Sequence, residues 1–179
     1  MVLTVGRFRS RRGMCRRLPL VADRGCAVTY ALGSGSLAQL AGVHPRLVEV
    51  VKRAIALTTQ DCSVHDGLRT HAEQAELVAR GASRTLLSKH LPQADGLGHA
   101  VDLVPYIGRT LRWEWAPIYV VADAMRRAAI DLDVAITWGA CWDADIRGTQ
   151  GSMQSVRDGY VSRRGPRAFL DGPHYELRA

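Results

Sequence analysis

Just after His99 the chain reads Ala100-Val-Asp-Leu-Val104, an apolar run with one carboxylate at its centre, followed by Pro105. The run is short and β-branched, so it reads as a strand, with Pro105 as its stop. An ionised carboxylate inside such a strand is costly unless something compensates it. Any fold this chain adopts must therefore bring cationic groups, or a metal ion, to Asp102. The preceding residues sharpen the point. Ser88–Asp102 holds two histidines, His90 and His99, and a second aspartate, Asp95. Pro92, Gly96 and Gly98 make that segment a loop. Clustered His and Asp donors are the chemistry a divalent metal satisfies.

Other elements can be placed around this strand. A helix is expected over Pro45–Leu57. Proline is harmless in its first turn, and Leu47, Val50, Val51, Ala54 and Ile55 recur at helical spacing, with Lys52 and Arg53 outward. Cys62–Val64 reads as a short strand ending at Asp66-Gly67. Thr70 and Glu73 form a capping box that opens a second helix, which runs to Arg80 before Gly81. Arg69 thus stands at a strand-to-helix junction. A third helix is expected over Pro117–Ala129, with Val120, Val121, Ala124 and Ala128 inward, and a strand over Val134–Ile136. Residues 143–168, rich in Gly, Asp, Arg and Ser, read as a long loop, and Gly33–Ser36 as a flexible joint. Asp171-Gly-Pro-His174-Tyr-Glu-Leu177 reads as a turn and a last short strand. Few short strands among helices point to α+β: a small antiparallel sheet with helices packed against it.

A catalytic zinc needs three protein ligands and one open position. His90, His99, Asp102 and His174 are the candidates, with Asp95 and Asp171 near them in sequence. Asp171 lies three residues before His174 across a Gly-Pro turn, placed to take a proton from water. Arg69 could meet negative charge developing on a carbonyl oxygen. His44, His65 and His71 read as solvated.

The net charge of +7 raises the question of nucleic acid, so its location matters. Residues 1–29 carry seven arginines against Asp23 alone, which accounts for six of the seven excess charges. Residues 1–29 are therefore expected to be a basic, disordered arm, and residues 30–179 are nearly neutral, so no specific nucleic-acid partner is expected. No apolar run approaches the ~20 residues of a membrane span, and the arm lacks the apolar core of a signal peptide. Cys15, Cys26, Cys62 and Cys141 form no Cys-x-x-Cys pair, so a cysteine zinc site is not expected. Cys62 and Cys141 read as small core residues.

Taken together, several motifs resemble the M15 family of zinc peptidases over about residues 36–177. They are Gly67-Leu-Arg69-Thr70, Gln74, Gly81-Ala-Ser83, Ser88-Lys-His90, Gly98-His-Ala-Val-Asp102 and Asp171-Gly-Pro-His174-Tyr-Glu-Leu. The family includes D-Ala-D-Ala carboxypeptidases and dipeptidases, and phage L-alanyl-D-glutamate endopeptidases. The segments Ser36-Leu-Ala-Gln-Leu-Ala-Gly-Val-His-Pro45 and Trp138-Gly-Ala-Cys-Trp142 resemble the phage endolysin branch in particular. The resemblance implies the hedgehog/D-Ala-D-Ala peptidase-like fold over residues 30–179, with zinc held by His90, Asp102 and His174. It implies Asp171 as general base and Arg69 as the partner of the carbonyl oxyanion. Gln74 and Ser83 match motif positions beside the substrate cleft. The implied substrate is bacterial peptidoglycan. The implied role is that of a monomeric phage lysis enzyme, held in the host cytoplasm until a membrane pore releases it to the wall, which agrees with the missing export signal. The alternatives are D-Ala-D-Ala carboxypeptidase or dipeptidase activity, and a zinc-bearing wall-binding module without catalysis.

The chain departs from the family's pattern at one point. His90 and Asp102 stand twelve residues apart, where the family keeps the pair seven apart. An insertion around Pro-Gln-Ala-Asp-Gly explains the difference, since a loop tip accommodates added residues cheaply. The alternative takes His99 as the ligand. In an extended strand, however, residues three apart point to opposite faces. His99 is therefore expected to line the cleft near the substrate, and Asp95 to belong to a turn.

Overall fold

The structure, a computed structural model, describes residues 29–178. Except for Thr29, the expected basic arm lies outside the described residues, as do Cys15 and Cys26. Chain order is α1 (Ser34–Gln39), α2 (Pro45–Leu57), β1 (Cys62–Asp66), α3 (His71–Ala79), β2 (Ala100–Ile107), β3 (Thr110–Leu111), α4 (Trp115–Asp131), β4 (Ile136–Trp138), α5 (Met153–Arg164) and β5 (His174–Leu177), with short 3₁₀ turns at Ile146–Gly148 and Gly165–Arg167. The strands pair antiparallel in the order β1-β2-β5-β4, and β3 adds to β2. This is the expected α+β arrangement.

Alternation along β2 separates the core from the site. Val101 and Leu103 join the hydrophobic cluster of α2 and α4, together with Val64, Ile136, Trp138 and Tyr175. Asp102 points to the opposite face. α2 buries the stripe read from the sequence, Leu47, Val50, Val51, Ala54 and Ile55. Each large side chain in it is worth about 1.5–3 kcal/mol over exposure. α4 buries Ile118, Val121, Ala122, Ala124, Met125, Ala128 and Ala129. Among the described residues, no helix is long and apolar enough to cross a membrane.

Several expectations need correction. Pro105 does not end β2: it pairs with Cys62 on β1, and beyond the end of β3 its carbonyl accepts from Arg112 N–H at 2.9 Å, a bond that does not need the missing N–H. Val120 is 38% exposed, because the helix turns it away from the core. The fourth strand is Ile136–Trp138 rather than 134–136: Val134 is buried, but β5 pairs only with Ile136, Thr137 and Trp138. Ser34 and Ser36 belong to α1 instead of a joint. The long loop of 143–168 contains α5, capped by the Ser152 hydroxyl, which accepts from Ser155 N–H. His44 is not simply solvated, since its Nδ1 accepts from Arg46 N–H at the start of α2.

Candidate active site

Strand register builds the first part of the site. Asp102 on β2 lies opposite His174 on β5 and opposite Asp66 on β1, giving one row across three strands. Two carboxylates facing each other repel. Arg69 sits between them: its Nε donates to Asp66 Oδ2 at 2.6 Å and its Nη2 to Asp102 Oδ2 at 2.8 Å. Asp102 Oδ1 is thereby left to face the histidines.

Three donor atoms converge there. His90 Nε2 and His174 Nδ1 are 3.2 Å apart, and they stand 3.3 and 3.1 Å from Asp102 Oδ1. Both rings are oriented from behind. His90 Nδ1 donates to the Gly67 carbonyl at 2.6 Å, and His174 Nε2 lies 3.2 Å from Glu176 Oε2. Those acceptors place the ring protons on the outer nitrogens, so neutral rings turn lone pairs inward. Two lone pairs and a carboxylate oxygen crowded together repel unless a cation lies among them. Their spacing of 3.1–3.3 Å comes close to the edge of a tetrahedron with bonds of about 2.0–2.2 Å, roughly 3.3–3.6 Å. The donor set fits a metal ion.

The electrostatics agree. Where protons rather than a metal ion occupy this space, burial by itself would raise Asp102, but N–H groups of His174 and His90 turned toward it outweigh that and hold the carboxyl far below its usual range. Burial pulls the His174 imidazolium down, yet hydrogen bonds to Asp102 and Glu176 push its pKa up to about 9. The point between them attracts positive charge.

A cleft of about 380 Å³ opens onto these atoms. Asp171 lines it and makes no side-chain hydrogen bond among the described residues. Burial raises its carboxyl, the charge of Asp102 adds to the rise, and His174, His90 and Arg69 draw it back. A raised, unpartnered carboxylate beside a metal site can accept a proton. Its backbone is strapped to Gly139: Asp171 N–H donates to Gly139 carbonyl at 2.9 Å, and Gly139 N–H donates to His174 carbonyl at 2.8 Å. Trp138 Nε1 holds Gly172 carbonyl at 2.7 Å.

The other sequence candidates fall into two groups. Gln74, fully buried, donates to Ser83 Oγ at 2.9 Å and Thr85 carbonyl at 2.8 Å, and it accepts from Arg69. Ser83 lines the cleft; Gln74 acts from behind it as a clasp. His99 is absent from the cleft. It binds Asp95 at 2.8 Å and meets His44 edge-on, lining a separate pocket with Arg46, Lys89 and Arg178.

His44, Asp95 and His99 form a second cluster within reach of one another, but of different character. The His44 Nδ1 lone pair is spent on α2, and basic side chains surround the group. Asp95 Oδ1 accepts from Leu97 N–H in the turn that Gly96 allows with φ +78°. These contacts fasten the loop around residues 92–96 to the body of the protein.

Asp66, Gly67, Trp142 and Glu176 were not singled out by the sequence as site residues. Trp142 stacks on the His174 ring with centroids 5.1 Å apart. Its place two residues after His174, within the Tyr-Glu-Leu tail, was the only signal for Glu176; Asp66 had none beyond its nearness to Arg69.

Comparison with known proteins adds the family. Residues 28–178 match the family described as phage L-alanyl-D-glutamate peptidase. The chain is 32% identical over 121 residues to the L-alanyl-D-glutamate peptidase of Escherichia phage T5, covering 65% of this chain and 85% of that protein. Its fold resembles the crystal structure of the Serratia marcescens L-Ala D-Glu endopeptidase ChiX, with a TM-score of 0.61 and 33% identity over 83% of this chain and 90% of that one.

Proposed function

Because the chain belongs to the phage L-alanyl-D-glutamate peptidase family, we propose that it is a zinc-dependent endopeptidase cutting the L-Ala–D-Glu bond of peptidoglycan stems as a phage lysis enzyme. The observation that carries the metal part is the trio of inward-facing donors, His90 Nε2, Asp102 Oδ1 and His174 Nδ1, held 3.1–3.3 Å apart with both rings oriented from behind. The same relationship supports residues 30–179 as the catalytic unit, acting at the wall.

Those three residues would hold zinc. When bound, zinc lowers the pKa of a water toward ~7 and polarises a carbonyl. The remaining work falls to the chain. Asp171 takes the proton of the attacking water on its free carboxylate and passes it to the leaving amine. The Gly67 carbonyl, accepting from His90 Nδ1, and the Glu176 carboxylate beside His174 Nε2 keep the two rings aimed. Arg69 holds Asp102 by the oxygen that faces away from the histidines, and so fixes the carboxylate's orientation. With its guanidinium engaged by Asp66, Gln74 and Asp102, its action on a carbonyl oxyanion would be through charge across the cleft. Trp142 shields one face of His174 from water.

The test is metal dependence on a defined substrate. Chelator-treated protein should leave an L-Ala–D-Glu peptide intact, and one equivalent of zinc should restore cleavage. Equal cleavage by metal-free protein would overturn the proposal.

A further inference from the structure

Three cationic side chains line the cleft, and one is already committed. Arg69 is held by Asp66, Gln74 and Asp102. Arg84 and Lys89 line the same cleft, and neither side chain makes a hydrogen bond or ion pair with another described residue. The acids of the cleft are occupied: Asp102 by Arg69 and the histidines, and Glu176 by His174. Asp171 is the proposed base. Arg84 thus faces the substrate space, and Lys89 stands on the wall between that space and the pocket around His99, neither with a carboxylate of the protein's own.

Both are presented by fixed backbone. The Gln74 amide holds Ser83 Oγ and Thr85 carbonyl, one residue to either side of Arg84. The Arg84 guanidinium carbon lies 4.6 Å over the centre of the Phe169 ring. Phe169 stacks on Trp142, and Trp142 on His174. Arg84 is therefore connected to the metal-site histidine through two stacked rings. A guanidinium resting on a ring by its face keeps its N–H edge free to grip a carboxylate. Lys89 directly precedes His90, and its carbonyl accepts from His99 N–H at 2.7 Å.

The chemistry that fits follows from the proposed bond, and this inference rests on that reading. Glutamate has two carboxyl groups, and only one can carry the peptide onward. A bond on the amino side of glutamate therefore always has a free carboxylate on its leaving side, close to the scissile amide. We infer that Arg84 and Lys89 bind this free carboxylate and so determine specificity for glutamate after the scissile bond. Gln74 is then a positioning residue, acting through the loop that carries Arg84. A substrate with a carboxamide there presents no charge to the pair, and should lose about tenfold or more, the usual weight of a charge-assisted hydrogen bond.

The experiment compares two synthetic peptides, identical except that one carries D-Glu with its free carboxylate and the other has that group as a carboxamide. With zinc-loaded protein, kcat/KM should favour the acid by at least about tenfold, mostly through KM. The double variant Arg84→Gln with Lys89→Met should bring that preference below about threefold, and Arg84→Lys should keep most of it. The preference is a ratio, so it does not depend on how much of a variant is folded. Equal cleavage of the two peptides by the unaltered protein, or an undiminished preference in the double variant, would overturn the inference. Cleavage of neither peptide would instead refute the peptidase reading, and this inference with it.

Discussion

Gly139→Ala should cripple the site while leaving its ligands in place. Gly139 is an ordinary position conformationally, and its φ is not in the left-handed region. The constraint is space. A Cβ there would stand 2.2 Å from the Asp171 carbonyl oxygen and 3.0 Å from His174 Cβ. The first contact must open to at least 3.0 Å, so Asp171 has to move by about 0.8 Å. Neither backbone can yield freely, because hydrogen bonds of 2.8 and 2.9 Å join Gly139 to both Asp171 and His174. A misplacement of about 1 Å at a reacting group can cost about 100-fold in rate. The overpacking should also lower stability by about 1–3 kcal/mol. Turnover of a defined peptide, zinc content and thermal melting measured on the same preparation separate these effects. The expected result is bound zinc, kcat reduced about 100-fold and a modest fall in Tm. A variant turning over within about threefold of the unaltered protein would refute the claim that the Gly139 strap sets the position of Asp171.

Asp171→Asn removes the proton acceptor and keeps the shape, so it should retain zinc and lose about 10²–10⁴-fold in kcat; zinc content with normal hydrolysis would remove Asp171 from the mechanism. His90→Ala should lose metal and His99→Ala should keep it, which metal analysis of the two purified variants decides. Burial, aided by the charge of Asp61, pushes the Cys62 thiol up to about 12 from an ordinary 9.0. The folded thiol therefore holds its proton where an unfolded one ionises. Its contribution is fully present below about pH 9 and lost as the pH rises toward 12. Native protein should show no alkylation of Cys62 at pH 8 by peptide mapping, with rapid labelling once unfolded, and denaturation midpoints should fall above pH 9.

Much of this arrangement is written locally in the chain. The bounds of α2 follow from Pro45 and the apolar stripe, and the Thr70–Glu73 capping box forms as read, with Glu73 Oε2 2.7 Å from Thr70 N. The candidate ligands His90, Asp102 and His174 were legible because buried charge in an apolar strand needs a partner, and because the motifs around it resemble a known family. α5 was not legible. It buries only Met153, Val156 and Tyr160, a narrow stripe in a polar segment interrupted by Gly159. The placement of β4 depends on its pairing with Leu177 and Tyr175 on a distant strand, and no local periodicity encodes that. The partners of Arg69 were hidden for the same reason. Its junction position was readable, but the bulge between Val64 and Asp66 that brings Asp66 opposite Asp102 is a feature of the assembled sheet. The separation of His99 from the cleft goes with its contacts to Asp95 and His44, which only the folded loop brings together.

The central claim is the bond that is cut, and mass analysis of fragments released from purified peptidoglycan by zinc-loaded protein tests it most directly. The account predicts released peptides with a new amino terminus on glutamate, and glycan strands that retain a single alanine. Release of free D-Ala or of a D-Ala-D-Ala dipeptide, with the L-Ala–D-Glu bond intact, would contradict it.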